Sequence, residues 1–281
     1  MRHLDLFSGI GGFALPARWM GWQTVQFVER ELYAQAVLRK HWPDTPLHGD
    51  ISTFDGSPFK GSTEILTGGF PCQDLSKISQ TQEGIFGQRS GLWYEFYRVL
   101  NESRPNWVVI ENVPTLRNLG ADLVLSDLAK ANYAAWPLVV GACHTNAPHR
   151  RQRVWIIGCA TDWAQTQETD AIAAIPRQQL LEGVVPNRTT ARPARRAGRK
   201  YLYRPDWEWW TDAPEPAVCS LDDGVPGALA RHRVNSLRAL GNSVVPQVVY
   251  SIYCAIQEVD DALLSLQCAR KGAASTYHGN A

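Results

Sequence analysis

Over residues 1–160, short apolar runs return at 2–6, 23–28, 64–67, 107–110, 135–141 and 153–159. The stretches between them at 12–20, 30–41, 91–103 and 121–131 carry apolar residues at helical spacing. That alternation points to an α/β fold, a parallel sheet flanked by helices. Ligands of such sheets gather at the carboxyl ends of the strands. The residues that follow each apolar run are therefore the ones to search for chemistry.

From about residue 161 the apolar periodicity fades, and prolines recur at 176, 186, 193, 205, 214 and 216. This shift marks 161–225 as a small irregular domain. Helical spacing returns over 244–266, with 267–281 left as a frayed tail. A chain of 281 residues is long enough for this arrangement. Its net charge of +1 places any attraction for nucleic acid in a local patch. The six cysteines, Cys72, Cys143, Cys159, Cys219, Cys254 and Cys268, form no CxxC pair. Their scatter argues against a metal centre or a disulfide framework and fits a reducing compartment. No apolar stretch approaches the roughly 20 residues of a membrane span. The first residues lead straight into a strand without a signal-peptide core. The expectation is a soluble, cytoplasmic protein without a membrane partner.

The first run continues into Asp5-Leu6-Phe7-Ser8-Gly9-Ile10-Gly11-Gly12-Phe13, a strand entering a glycine turn and then a helix. The turn lacks the Lys-Ser/Thr of a phosphate-binding loop, which disfavours nucleoside triphosphates. Glu29 follows the second run, where such folds hold ribose hydroxyls, and Asp50 follows Leu47-His48-Gly49. Together these acids outline a nucleoside cofactor; singly, each reads equally as a surface carboxylate or a helix cap. After the third run comes Gly69-Phe70-Pro71-Cys72-Gln73, a thiol beside a proline that fixes its own φ. The fourth run ends at Glu111-Asn112, again polar residues at the carboxyl end of a strand.

Five segments now stand in order: Asp5 to Gly12, Gly69 to Gln73, Glu111-Asn112-Val113, Arg151-Gln152-Arg153 and Gly241-Asn242-Ser243-Val244-Val245-Pro246. This series resembles the DNA (cytosine-5)-methyltransferase family over the whole chain except about 161–225. The resemblance implies S-adenosylmethionine as cofactor and methylation of C5 of a flipped-out cytosine in double-stranded DNA. It assigns Cys72 as the nucleophile at C6, Glu111 to N3 and Arg153 to O2 of the base. Cytosine C5 is a weak nucleophile, and thiolate addition at C6 supplies the electron density that methylation needs. By the same resemblance the cofactor falls to Phe7, Gly9, Ile10, Gly11, Gly12, Glu29, Asp50, Ile51, Pro71, Leu92, Asn242, Ser243 and Val244. The resemblance also makes 161–225 the target-recognition domain and implies that 226–266 joins 1–160 in a Rossmann-like catalytic domain, a sheet with helices on both faces.

The polar stretch 74–89 has the composition of a loop that closes over DNA, and Gln73, Ser76, Lys77 and Arg89 are assigned to it as DNA contacts. An ordinary surface loop has the same composition. The basic run 188–200 holds Arg192, Arg195, Arg196, Arg199 and Lys200 without an acid, and suits phosphate contacts. Arg151 is assigned to the DNA backbone or to a structural partner. The tRNA-methylating branch of the family shares the catalytic set and stays open, as does a regulator that keeps only the fold. A monomer is expected, and the resemblance leaves room for a companion restriction endonuclease.

Overall fold

A computed structural model describes residues 1–71, 91–145, 151–161, 235–236 and 239–277. Its strands are β1 (Arg2–Leu6), β2 (Gln23–Val28), β3 (Leu47–His48), β4 (Ile65–Gly68), β5 (Trp107–Asn112), β6 (Tyr133–Gly141) and β7 (Gln152–Ala160). The helices are α1 (Ala14–Trp19), α2 (Leu32–His41), α3 (Leu92–Ser103), α4 (Leu116–Leu119), α5 (Ala121–Lys130) and α6 (Pro246–Tyr277). The strands form one sheet in the order β3-β2-β1-β4-β5-β7-β6. The strand order therefore reverses between β1 and β4, the crevice where open α/β sheets bind ligands.

The expected all-parallel sheet needs a correction at one edge. β1 to β5 run parallel, but β7 is antiparallel to both β5 and β6. Residues 142–151 are all that join β6 to β7. A parallel return requires a crossover of a dozen or more residues, so this short link forces a reversal.

Period-two alternation sorts the core into two layers. Leu4, Leu6, Leu66, Val108 and Ile110 point to the face covered by Trp93, Phe96, Val99 and Leu100 of α3 and by Val124 and Leu128 of α5. Ile65, Trp107, Val109, Trp155 and Ile157 point the other way, against Phe13, Ala17 and the α6 residues Val248, Val249, Ile252, Tyr253 and Ile256. Each such burial is worth roughly 1.5–3 kcal/mol, enough to make α6 part of the main domain despite its distance along the chain. α3 ends at Arg104, which adopts φ 49° ahead of Pro105.

Two further expectations shift. α6 runs on to Tyr277, past the apolar pattern that stops near Leu266, because Gln267, Ala269, Arg270 and Lys271 are good helix formers without apolar spacing. The span Ala239–Ser265, which overlaps the first part of α6, is long and apolar enough by composition to cross a membrane. Its apolar stripe, however, is buried against the sheet, as in a core helix of a folded domain.

Candidate active site

The carboxyl ends of β1, β2, β4 and β5 converge on one edge. At β1, Phe7 takes φ 52° and Gly9 takes φ 54°, so the chain leaves the strand in a left-handed turn. A Cβ on Gly9 would meet nothing within 4 Å, whereas one on Gly11 or Gly12 would strike Trp42 or Val244 at 2.6 Å. The turn is thus open on one side and packed on the other. Glu29, at the end of β2, is buried and accepts from Gly9 N and from Glu31 N, each at 2.7 Å. Its lone pairs are not exhausted by these two bonds, so hydroxyl donors can still be received. An open glycine turn beside a buried acid at the strand-order reversal fits a nucleoside cofactor.

Ile10 is half-buried in the turn and Leu92 half-buried at the start of α3. Asp50 is exposed and caps the turn Ile51–Thr53, accepting from Ser52 N at 3.0 Å and Ser52 Oγ at 2.8 Å. Those bonds hold its carboxyl below the usual carboxylate range. Ile51 is buried, and Arg98 of α3 donates to Ile51 O at 2.7 Å and Phe54 O at 2.8 Å, which fastens this segment to the sheet. Asn242 is exposed, Ser243 half-buried and Val244 buried against the glycine turn.

A second group assembles at β5. Glu111 and Trp155 are cross-strand partners, so Arg153 stands diagonally opposite Glu111 on the same face. Its Nε lies 2.8 Å from Glu111 Oε1. Burial drives the Glu111 carboxyl upward, while Arg153 and Arg151 pull it back, and it settles at about 7. A group so poised holds or releases a proton near neutral pH. Gly69 faces this carboxyl, and a Cβ there would come within 3.1 Å of Glu111 Oε2. Asn112 donates to Phe70 O at 2.9 Å while its Oδ1 accepts from Val113 N. Phe70 itself is buried against Trp93, at 5.2 Å between ring centroids. The chain is therefore pinned up to Pro71, which is exposed at the edge.

Cys72, Gln73, Ser76, Lys77 and Arg89 lie outside the described residues, as do Arg192, Arg195, Arg196, Arg199 and Lys200. Arg151 is described: its Nη2 donates to Gly241 O at 2.5 Å and to Ser243 O at 2.6 Å. Among the described residues no group of His, Cys, Asp and Glu could hold a metal ion.

The profile of the family described as C-5 cytosine-specific DNA methylase matches residues 1–194. The chain belongs to this family. It is 35% identical over 165 residues to type II methyltransferase M2.BsuMI of Bacillus subtilis, covering 56% of this chain and 41% of that one. It is 28% identical over 228 residues to type II methyltransferase M.Eco47II of Escherichia coli, covering 75% and 54%. The chain thus spans about half the length of these curated relatives. A solved structure, a putative DNA modification methyltransferase encoded within an E. coli prophage, superposes with a TM-score of 0.58 at 18% identity. That superposition covers 93% of this chain and 99% of the other, and it supports the Rossmann-like fold.

The sequence motifs did not reveal a buried chain of polar groups beneath the site. Thr67 Oγ1 donates to Asp5 Oδ1 at 2.9 Å, and His3 Nε2 lies 2.7 Å from Thr67 Oγ1, with His3 Nδ1 3.0 Å from Thr24 Oγ1. Burial lowers His3 to about 3 and raises Asp5 well above its usual range. A neutral His3 with its proton on Nε2 satisfies every bond in this chain. His3 and Thr67 sit inside apolar runs, and an unusual polar residue at an inward strand position is the signal that finds them.

Proposed function

We propose that this methylase transfers a methyl group from S-adenosylmethionine to C5 of a cytosine extruded from double-stranded DNA, through a covalent bond between Cys72 and C6. The observation that carries the reading is the Glu111–Arg153 pair, set at the strand edge beside the pinned Gly69-Phe70-Pro71 turn that leads into Cys72. The cofactor supplies the methyl group when bound. Glu29 and the Gly9 turn would hold its ribose end, and Asn242 its methionine end. Phe7, Ile51 and Leu92 would wall the adenine.

In the first step the Cys72 thiolate forms a bond to C6, and the ring electrons move towards N3. Glu111, neutral at and below about pH 7, donates its proton to N3, and Arg153 holds the partial charge at O2. With C5 thus enriched, it accepts the methyl group. Loss of the C5 proton and departure of the Cys72 sulfur then restore the C5=C6 bond, and N3 returns its proton to the Glu111 carboxylate. A base within a duplex hides C6, so extrusion must precede attack. The polar segment 74–89 and the basic run 188–200 supply the DNA contacts, with Arg151 aiding from the strand edge. We further read the protein as a cytoplasmic monomer, a reading that leaves room for a companion restriction endonuclease.

Labelled methyl transfer to duplex DNA and to tRNA tests the substrate. Label in DNA is expected, and label confined to tRNA would overturn the reading. The cofactor assignment is tested by Glu29→Ala, which should weaken S-adenosylmethionine binding by about tenfold through loss of charge-assisted bonds. Unchanged affinity in calorimetry would remove Glu29 from the site.

A further inference from the structure

Arg151 stands where the two half-sites meet. It precedes β7 with φ 30°, a conformation that residues other than glycine rarely adopt. It lies just outside β7, close enough to Glu111 for its charge to act on that carboxyl. There one guanidinium nitrogen serves both Gly241 O and Ser243 O. The next two side-chain positions, Ser243 and Val244, are in turn seated on the glycine turn. A Cβ on Gly12 would fall 2.8 Å from Ser243 Oγ and 2.6 Å from Val244 Cγ2. The contacts therefore run without a break from the arginine strand, through the 241–244 segment, to the turn beside Glu29.

We propose that Arg151 is a positioning residue that clasps the Gly241–Ser243 segment, so that the cofactor cradle and the Glu111–Arg153 pair are held as one unit. This rests on the reading of the Gly9–Glu29 edge as the S-adenosylmethionine site. Two functions are combined in the side chain. Its paired bonds to carbonyls fix the segment that carries Asn242. Its charge also reaches Glu111, whose carboxyl it pulls down, while burial and the neighbouring Arg153 depress Arg151 itself. Two close guanidinium groups repel, and the carbonyls of Gly241 and Ser243 offset that repulsion for Arg151.

The two functions separate by substitution. Arg151→Lys keeps the charge, but its shorter side chain ends before the point between the two carbonyls that Nη2 occupies, whereas Arg151→Met loses both the charge and the donors. Calorimetry with S-adenosylhomocysteine on the full chain should show about tenfold weaker binding for each variant. The midpoint of Glu111, read by carboxyl NMR, should stay near the wild-type value in Arg151→Lys and rise in Arg151→Met. Thermal melting of both variants identifies any that fail to fold. Wild-type affinity in Arg151→Lys would overturn the clasp, and an unmoved Glu111 midpoint in Arg151→Met would overturn the link to the base site. A general structural role would lower melting temperature without this split between lysine and methionine. If wild-type protein itself bound no S-adenosylhomocysteine, the cofactor reading would fail, and the Glu111 midpoints would still decide whether Arg151 reaches the second half-site.

Discussion

Glu111 shows how a single carboxyl acquires a function from its surroundings. Burial alone would keep it neutral well above neutral pH; the adjoining arginines return it to about 7. Its folded pKa is above the unfolded value, so the folded state keeps a proton that the unfolded chain has released. Stability contributed by this group is therefore full below about pH 4.5 and is lost as pH rises towards 7. Relative to Glu111→Gln, wild-type protein should lose about 3 kcal/mol over that window. Urea melts of both proteins between pH 4.5 and 8 measure it; a constant difference would contradict the buried-carboxyl description. His3 acts with the opposite sign. Its folded pKa is lowered to about 3, so its contribution is present above pH 6.5 and is lost as pH falls. Thr63 offers a third check, because its buried Oγ1 has no partner among the described residues. Thr63→Val keeps the shape and removes that orphan group, so a gain of about 1 kcal/mol is expected. A loss of stability in chemical denaturation would show that the hydroxyl is satisfied.

At the scale of the elements, the glycine turn and α6 depend on each other. Gly12→Ala should push Val244 away and destabilise the protein by about 1–3 kcal/mol. It should also weaken S-adenosylhomocysteine binding, whereas Gly61→Ala, in open space but at φ 71°, should cost stability alone. Equal binding by both variants would sever the turn from the cofactor. Much of this was legible in the chain. Strands and helices in the first half announce themselves by period, and Glu111 falls at a strand end because Trp107–Ile110 is apolar throughout. The direction of β7 was not legible from apolar pattern, since a buried strand reads the same whichever way it runs. It followed instead from the short link after β6. Nor do Arg151 and Arg153 differ in sequence character. Their separate partners are distant in sequence, Gly241 and Ser243 some 90 residues after one and Glu111 about 40 residues before the other. The His3–Thr67–Asp5 chain was hidden for a related reason, being written in three strands that only the sheet makes neighbours.

Taken whole, the main domain is closed by both parts of the chain. β1 to β7 make the sheet, and α6 returns to cover the face that Ile65, Val109 and Trp155 leave apolar. Tyr33 Oη, on α2, lies 2.7 Å from Ser236 Oγ, a further tie between the early helices and the returning segment. The glycine turn beside Glu29 and the Glu111–Arg153 pair consequently lie at the same edge of one sheet, where the described chain also reaches Pro71. The central claim is that Cys72 bonds to C6 of a cytosine there. Duplex DNA carrying 5-fluorocytosine tests it most directly, because the fluorine cannot leave as the C5 proton does. With S-adenosylmethionine present, wild-type protein should remain covalently joined to the DNA under denaturing electrophoresis, and Cys72→Ser should not. A covalent adduct formed by Cys72→Ser at wild-type yield would contradict the mechanism.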